Sequence, residues 1–249
     1  MRFFEFLGRF FYTRKCPSCG ELLDFDVMDE AFCSECRDKW EIEKAAGCVI
    51  CSRSVCECEC MTKTLSSSGA LTHRKIVKYS LKAPVVHNTL IFIKQNNNPR
   101  VSGFLASELS AVVLSDSNLK ELCGDDAVVS FVPRSRSAIV KYGHDQSAII
   151  AELLADKLGI SFSPLLKRKL RKGVAQKRLN AKKRAKNVKN MFCVIKKSRE
   201  SLVGKTVFLF DDIVTTGSSI GACTSCLIKA GASNVICLSV ATTENTKTK

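Results

Sequence analysis

The most informative hydrophobic pattern lies late in the chain. Val207, Phe208, Leu209 and Phe210 are four apolar residues in a row, the mark of a strand buried on both faces. Asp211 and Asp212 follow where that strand is expected to end. Ile213-Val214-Thr215-Thr216-Gly217-Ser218-Ser219 then leads into a helix predicted over Ile220 to Lys229, with Gly231 as its stop. Upstream, the pattern predicts a strand over His73 to Ser80. A helix then starts at Pro84 and carries Val85, Thr89, Phe92 and Ile93 to Lys94, and a second runs from Val101 to Leu114. A buried strand is expected over Asp126 to Val132. Next come a helix over Gln146 to Leu158, closed by Gly159, and a last strand over Asn234 to Val240. Strands alternating with helices imply an α/β fold, a parallel sheet flanked by helices on both faces. Ligands of such sheets sit at the carboxyl ends of the strands, so the loops after Val132 and after Phe210 are expected on one rim.

The residues at that rim suggest a ligand class. Thr215, Thr216, Gly217, Ser218 and Ser219 form a small-residue turn before a helix start, where backbone N–H groups and the positive helix end attract an anion. Asp211 and Asp212 can accept hydrogen bonds from sugar hydroxyls or hold Mg²⁺ through waters. A compound with vicinal hydroxyls at one end and a phosphate at the other, such as a ribose 5-phosphate, fits both. The plainer alternative is a strand end with two solvated acids before an N-capped helix. At all thirteen positions, Val207 to Ser219 resembles the signature of type I phosphoribosyltransferases, which bind phosphoribosyl pyrophosphate (PRPP). With that ligand, Arg134 and Ser135 on the neighbouring loop become candidates for its pyrophosphate end.

Composition changes the picture at the amino end. The chain has 249 residues and 14 cysteines, nine of them before Met61. Cys16, Cys19, Cys33 and Cys36 form two C-x2-C knuckles, and four thiolates so arranged make a closed tetrahedral Zn²⁺ site. Cys48, Cys51, Cys56, Cys58 and Cys60 hold one clean knuckle and an irregular C-x-C-x-C. All five cannot meet one ion without a bend in the chain, so a second zinc on Cys48, Cys51, Cys58 and Cys60 and a degenerate site both remain open. Residues 1–64 are therefore expected to be a small zinc-binding domain resembling a double zinc ribbon, stabilised largely by metal. Residues 65–80 read as a linker and first strand, the Leu65 to Gly69 stretch being flexible by composition. The α/β domain would span 81–242, and 243–249 a disordered polar tail.

Charge adds a partner. The net charge is +15, and twelve Lys or Arg with no acid lie between Pro164 and Asn190. Lys167, Arg168, Arg171, Lys177, Arg178, Lys182, Lys183 and Arg184 from this run are candidate contacts to a polyanion, of which nucleic acid is the commonest. Few aromatics lie in the run, so it offers charge without an obvious base-stacking platform. Met1 to Phe11 reads as a short amphipathic helix interrupted by charge, and no apolar run approaches the roughly 18 residues of a membrane span. Zinc-type cysteine spacing without an export signal points to a reducing cytoplasm.

The order of these features, over nearly the whole chain, resembles the ComF (GntX-like, competence protein F) family. Val132-Pro133, Tyr142-Gly143-His144-Asp145-Gln146, and Gln176, Leu179, Arg184 and Asn187 carry that resemblance beyond the rim signature, although Tyr142 stands where the family has arginine. The resemblance implies a type I phosphoribosyltransferase-like domain after a zinc finger, PRPP bound with Mg²⁺, and a part in natural transformation. There it would handle single-stranded DNA alongside other DNA-uptake proteins. Three functions stay in play: phosphoribosyl transfer, a nucleic-acid-binding module, and a PRPP sensor.

Overall fold

The structure, a computed structural model, describes residues 14–169 and 190–243. The expected Met1 to Phe11 helix, most of the basic run and residues 244–249 of the tail lie outside these. Five parallel strands form the central sheet: β1 (Thr72–Lys78), β2 (Ala127–Phe131), β3 (Ser161–Phe162), β6 (Thr206–Val214) and β7 (Asn234–Thr242), in the order β1-β7-β6-β2-β3. A small antiparallel pair, β4 (Leu166–Arg168) and β5 (Phe192–Val194), stands apart from it.

Strand periodicity splits the core in two. Phe208 and Phe210 of β6 pack with Ile236 and Leu238 of β7 under the helices α3 (Pro84–Gln95), α4 (Pro99–Leu114) and α7 (Gln146–Leu158). Val207 and Leu209 face the other way, toward α8 (Ser218–Lys229) and the β4–β5 pair. The other α-helices among the described residues are α1 (Ser34–Ala45), α2 (Lys63–Ser66), α5 (Ser117–Glu121) and α6 (Arg136–Tyr142). Helix ends follow local chemistry. Pro84 and Pro99 open α3 and α4 at the first helical position, and Asn98 and Asp116 cap α4 and α5 through their side chains.

The cysteine-rich segment shares the first core. Phe32 and Trp40 are buried there, their rings 5.4 Å apart, with Phe104 of α4 at 5.3 and 5.6 Å. Its arginine-to-carboxylate ties go the same way: Arg74 of β1, itself buried, pairs with Glu59 and Asp116.

Two expectations need correction. The acid pair does not follow the end of its strand: β6 continues through Asp211 and Asp212 to Val214, paired with β7 as far as Thr242. The partner that stops is β2, whose last pairing is Phe131 with Phe210, followed by one bond from the Val132 N–H to the Phe210 carbonyl. Composition also misleads at Leu65 to Gly69. Thr62 caps α2 through its side chain, and Leu65 is wholly buried against α8, because one apolar residue among serines suffices to dock the turn.

Candidate functional site: the rim between β2 and β6

The chain leaves β2 in one direction across the sheet, toward β3, and leaves β6 in the other, toward β7. Between the two strands the rim opens into the crevice where such sheets place ligands. From Asp211 onward β6 has only β7 beside it, so both acids border that crevice.

Successive strand residues point to opposite faces, and the two acids meet different neighbours. Asp212 Oδ2 lies 3.1 Å from Lys94 Nζ at the end of α3. The Asp211 carboxyl lies near Cys223 of α8 and Cys237 of β7, and burial together with its charge pushes both thiols up. Burial first, then the Asp212 charge, holds the Asp211 carboxyl well above the usual carboxylate range. Each acid also turns back on its own backbone: Asp211 Oδ1 accepts from the Asp212 N–H at 3.0 Å, and Asp212 Oδ1 from the Ile213 N–H at 2.7 Å.

Beyond Val214 the loop turns into α8 at Gly217, whose φ of +74° is left-handed and suits glycine. Thr215, Thr216 and Ser219 are exposed and Ser218 half-buried, with Thr216 Oγ1 and Ser218 Oγ 2.8 Å apart. The helix begins at Ser218, two residues earlier than its apolar pattern suggests, so Ser218 and Ser219 lie in the first turn, where N–H groups lack helical acceptors.

On the β2 side, Ser135 Oγ accepts the Ala138 N–H at 3.2 Å and caps α6. The Arg134 N–H donates to Asp145 Oδ2 at 3.0 Å, and its guanidinium reaches the carbonyls of Lys94 and His144 at 3.4 to 3.5 Å. Arg134 and Lys141 both lie over the Tyr142 ring, at 5.3 and 4.9 Å, so the tyrosine gathers two cations. Lys94 and Asp145 are site residues that the pattern missed. A lysine ending an amphipathic helix carries no distinguishing signal, while Asp145 could have been found as a capping residue just ahead of Gln146.

Lys167 and Arg168 are exposed on β4. With Lys169, Arg134 and Arg136 they line a cavity of about 710 Å³ floored by Phe131, Leu166 and Met191. Arg171, Lys177, Arg178, Lys182, Lys183 and Arg184 lie outside the described residues.

Both cysteine groups assemble. The Sγ atoms of Cys16, Cys19, Cys33 and Cys36 all lie within 4.8 Å of one another, and so do those of Cys48, Cys51, Cys58 and Cys60. A tetrahedral zinc with Zn–S near 2.3 Å sets its sulfurs about 3.8 Å apart, and Cys19 Sγ to Cys33 Sγ is 3.8 Å. A tight turn reverses the chain at Cys48 to Ser52, where Ser52 takes φ +60°. Cys56 stays out of the second group and contacts Ser54 Oγ instead, which resolves the irregular C-x-C-x-C. Burial pushes Cys36 up to about 12, and burial and neighbouring thiols do the same for Cys60. Burial opposes ionisation of Cys48 as well, yet the Cys51 and Ile50 N–H groups bring it down to about 7. Zn²⁺ binds thiolates, and its charge offsets what crowding costs them. The residues of both groups therefore fit the ion.

Residues 144–249 match the phosphoribosyl transferase domain family. This part of the chain resembles a phosphoribosyl transferase domain. Over 162 residues the chain is 26% identical to the DNA utilization protein YhgH of Salmonella typhi, and equally to that of Salmonella typhimurium, covering 65% of this chain and 69% of each relative. Solved structures similar to it include an allosteric regulatory enzyme of purine biosynthesis (TM-score 0.39, 19% identity), of which 30% is covered by 60% of this chain. Another is adenine phosphoribosyltransferase from Leishmania tarentolae (TM-score 0.36, 13% identity), of which 74% is covered by 61% of this chain. The phosphoribosyl transferase domain, with a cysteine-rich segment ahead of it, keeps the ComF-like order of features. Among the described residues, no helix is long and apolar enough to cross a membrane.

Proposed function

We propose that the phosphoribosyl transferase domain binds PRPP with Mg²⁺, and that the protein also takes single-stranded DNA, in a ComF-like role in DNA uptake. The observation that carries the first half is the continuous run from Asp211 to Ser219 along one strand end, turn and helix start. Asp211 and Asp212 take the ribose hydroxyls, and Thr215, Thr216, Gly217, Ser218 and Ser219 take the 5-phosphate. Arg134 and Ser135 stand on the pyrophosphate side. Asp211 and Asp212 could hold Mg²⁺ through waters, and the ion would supply counter-charge to the pyrophosphate. Holding the sugar at both ends while pyrophosphate departs from C1′ is positioning and charge stabilisation, the main contributions a protein makes to such a transfer.

The DNA half rests on the basic cavity. Lys167, Arg168 and Lys169 line this cavity together with Arg134, Arg136 and the apolar Phe131, Leu166 and Met191, a mixture that suits a phosphate backbone with a base laid against it. Similarity to a DNA utilization protein supports the same partner. Arg134 borders both the cavity and the crevice, and this favours a second reading in which PRPP binding changes affinity for DNA without transfer.

Calorimetric titration with PRPP and Mg²⁺ tests the proposal. Wild type should bind, and the Asp211→Asn plus Asp212→Asn protein should not. Equal behaviour of the two would remove both the transfer and the sensor readings.

A further inference from the structure

The turn between the second cysteine group and β1 touches the phosphate loop directly. Thr62 Oγ1 donates to the Thr216 carbonyl at 3.2 Å, and the same oxygen accepts the Leu65 N–H at 3.2 Å. A Cβ placed on Gly217 would lie 2.5 Å from Thr62 Oγ1 and 3.4 Å from the Leu65 Cβ. Next along α8, a Cβ on Gly221 would meet the Thr64 carbonyl at 3.3 Å. Ser225 Oγ donates to the Ser68 carbonyl at 3.2 Å and closes the contact. Thr62, Thr64, Leu65 and Ser68 are thus laid along α8, and two glycines make the close approach possible.

The direction of the Thr62 bond matters more than its presence. The peptide between Thr216 and Gly217 is planar and trans, so its C=O and N–H point in opposite directions. Thr62 holds the carbonyl on the α2 side. The Gly217 N–H is thereby turned away from α2. Cys60 lies two residues before Thr62, and the Lys75 ammonium, buried in β1, donates to the Cys60 carbonyl at 2.9 Å. Cys58, Cys60 and Thr62 also line one small cavity of about 80 Å³ with Thr242 and Thr243.

We propose that Thr62 is a positioning residue of the phosphate loop, fixing the Thr216–Gly217 peptide so that the Gly217 N–H faces the bound 5-phosphate. The cysteine-rich arm thereby becomes part of the sugar-phosphate site, anchored two residues away by the second metal group. This rests on the reading of the loop as a 5-phosphate site.

The test uses the full chain with its zinc, and ribose 5-phosphate as the probe. Thr62→Val keeps the shape of the side chain and removes the hydroxyl, and it should weaken binding about 3- to 10-fold, the worth of one hydrogen bond. Thr62→Ser should restore wild-type affinity, and zinc content should be the same in all three. In the wild type, hydrogen exchange at the Gly217 amide should slow when ribose 5-phosphate binds. If wild type binds and Thr62→Val binds equally well, the inference is overturned. Binding that leaves the Gly217 amide unprotected overturns it too, and needs no variant. Failure of wild type to bind at all would instead refute the phosphate reading beneath it.

Discussion

Lys94 Nζ stands 3.1 Å from Asp212 Oδ2, so the end of α3 supplies counter-charge to one acid of the pair and leaves its neighbour Asp211 crowded by burial. A folded carboxyl with a raised pKa keeps a proton that the unfolded chain releases. Stability contributed by this group is therefore present at low pH and falls as pH rises from about 4 through the folded pKa. Asp211→Asn should remove that fall. Its melting temperature at pH 7 should exceed that of wild type, and the gap should shrink toward pH 4. Calorimetric melts across that range check this, and a gap that widens on acidification would contradict it. Lys94→Met should push Asp211 higher still, since the lysine charge lowers it.

Zinc should report through a single fluorophore. Trp40 is the chain's one tryptophan and is wholly buried beside Cys36, in the core shared with α4. Metal analysis should give two zinc ions per chain, and Cys36→Ser should give one. A strong chelator should shift Trp40 emission to longer wavelength as the first group opens. Zinc content near zero, or an unchanged spectrum after metal is removed, would contradict the assignment.

The strand at Val207 to Phe210 and the helix closed at Gly159 followed from periodicity and capping, which are local. The extent of β6 depends on β7 continuing alongside to Thr242, and a strand does not advertise its partner's length. The cysteine knuckles were readable because metal ligation demands fixed spacing. The second group could be named as Cys48, Cys51, Cys58 and Cys60 but not decided against a degenerate site, because which of Cys56, Cys58 and Cys60 turns inward depends on a tight turn. Thr62 lies beside a serine-rich stretch whose composition resembles a flexible linker, while its role comes from Gly217, 155 positions further on.

Gly217→Ala should be costly on two counts. The residue takes φ +74°, and the new methyl would lie 2.5 Å from Thr62 Oγ1. A loss of roughly 1–3 kcal/mol is expected from backbone strain of this kind. Denaturant melts of Gly217→Ala against wild type measure it, and a change within error would show that the loop and arm adjust freely.

DNA binding through the basic cavity should be ionic. Affinity for a single-stranded oligonucleotide should fall steeply with salt, by about 0.7 in log–log slope for each phosphate neutralised. Lys167→Ala and Lys169→Ala should each lower that slope by about that amount without changing sequence preference. A slope near zero in wild type would rule out this surface as the contact.

The central claim is that an acid pair and a turn of amides hold opposite ends of one phosphorylated pentose. Comparing ribose 5-phosphate with 2-deoxyribose 5-phosphate by titration calorimetry tests it most directly. The account predicts that the deoxy sugar binds at least about tenfold more weakly to wild type, the cost of a lost hydrogen bond to a charged acceptor. In the Asp211→Asn plus Asp212→Asn protein the two sugars should bind alike. Equal binding of both sugars to wild type, or no binding of either, would contradict it.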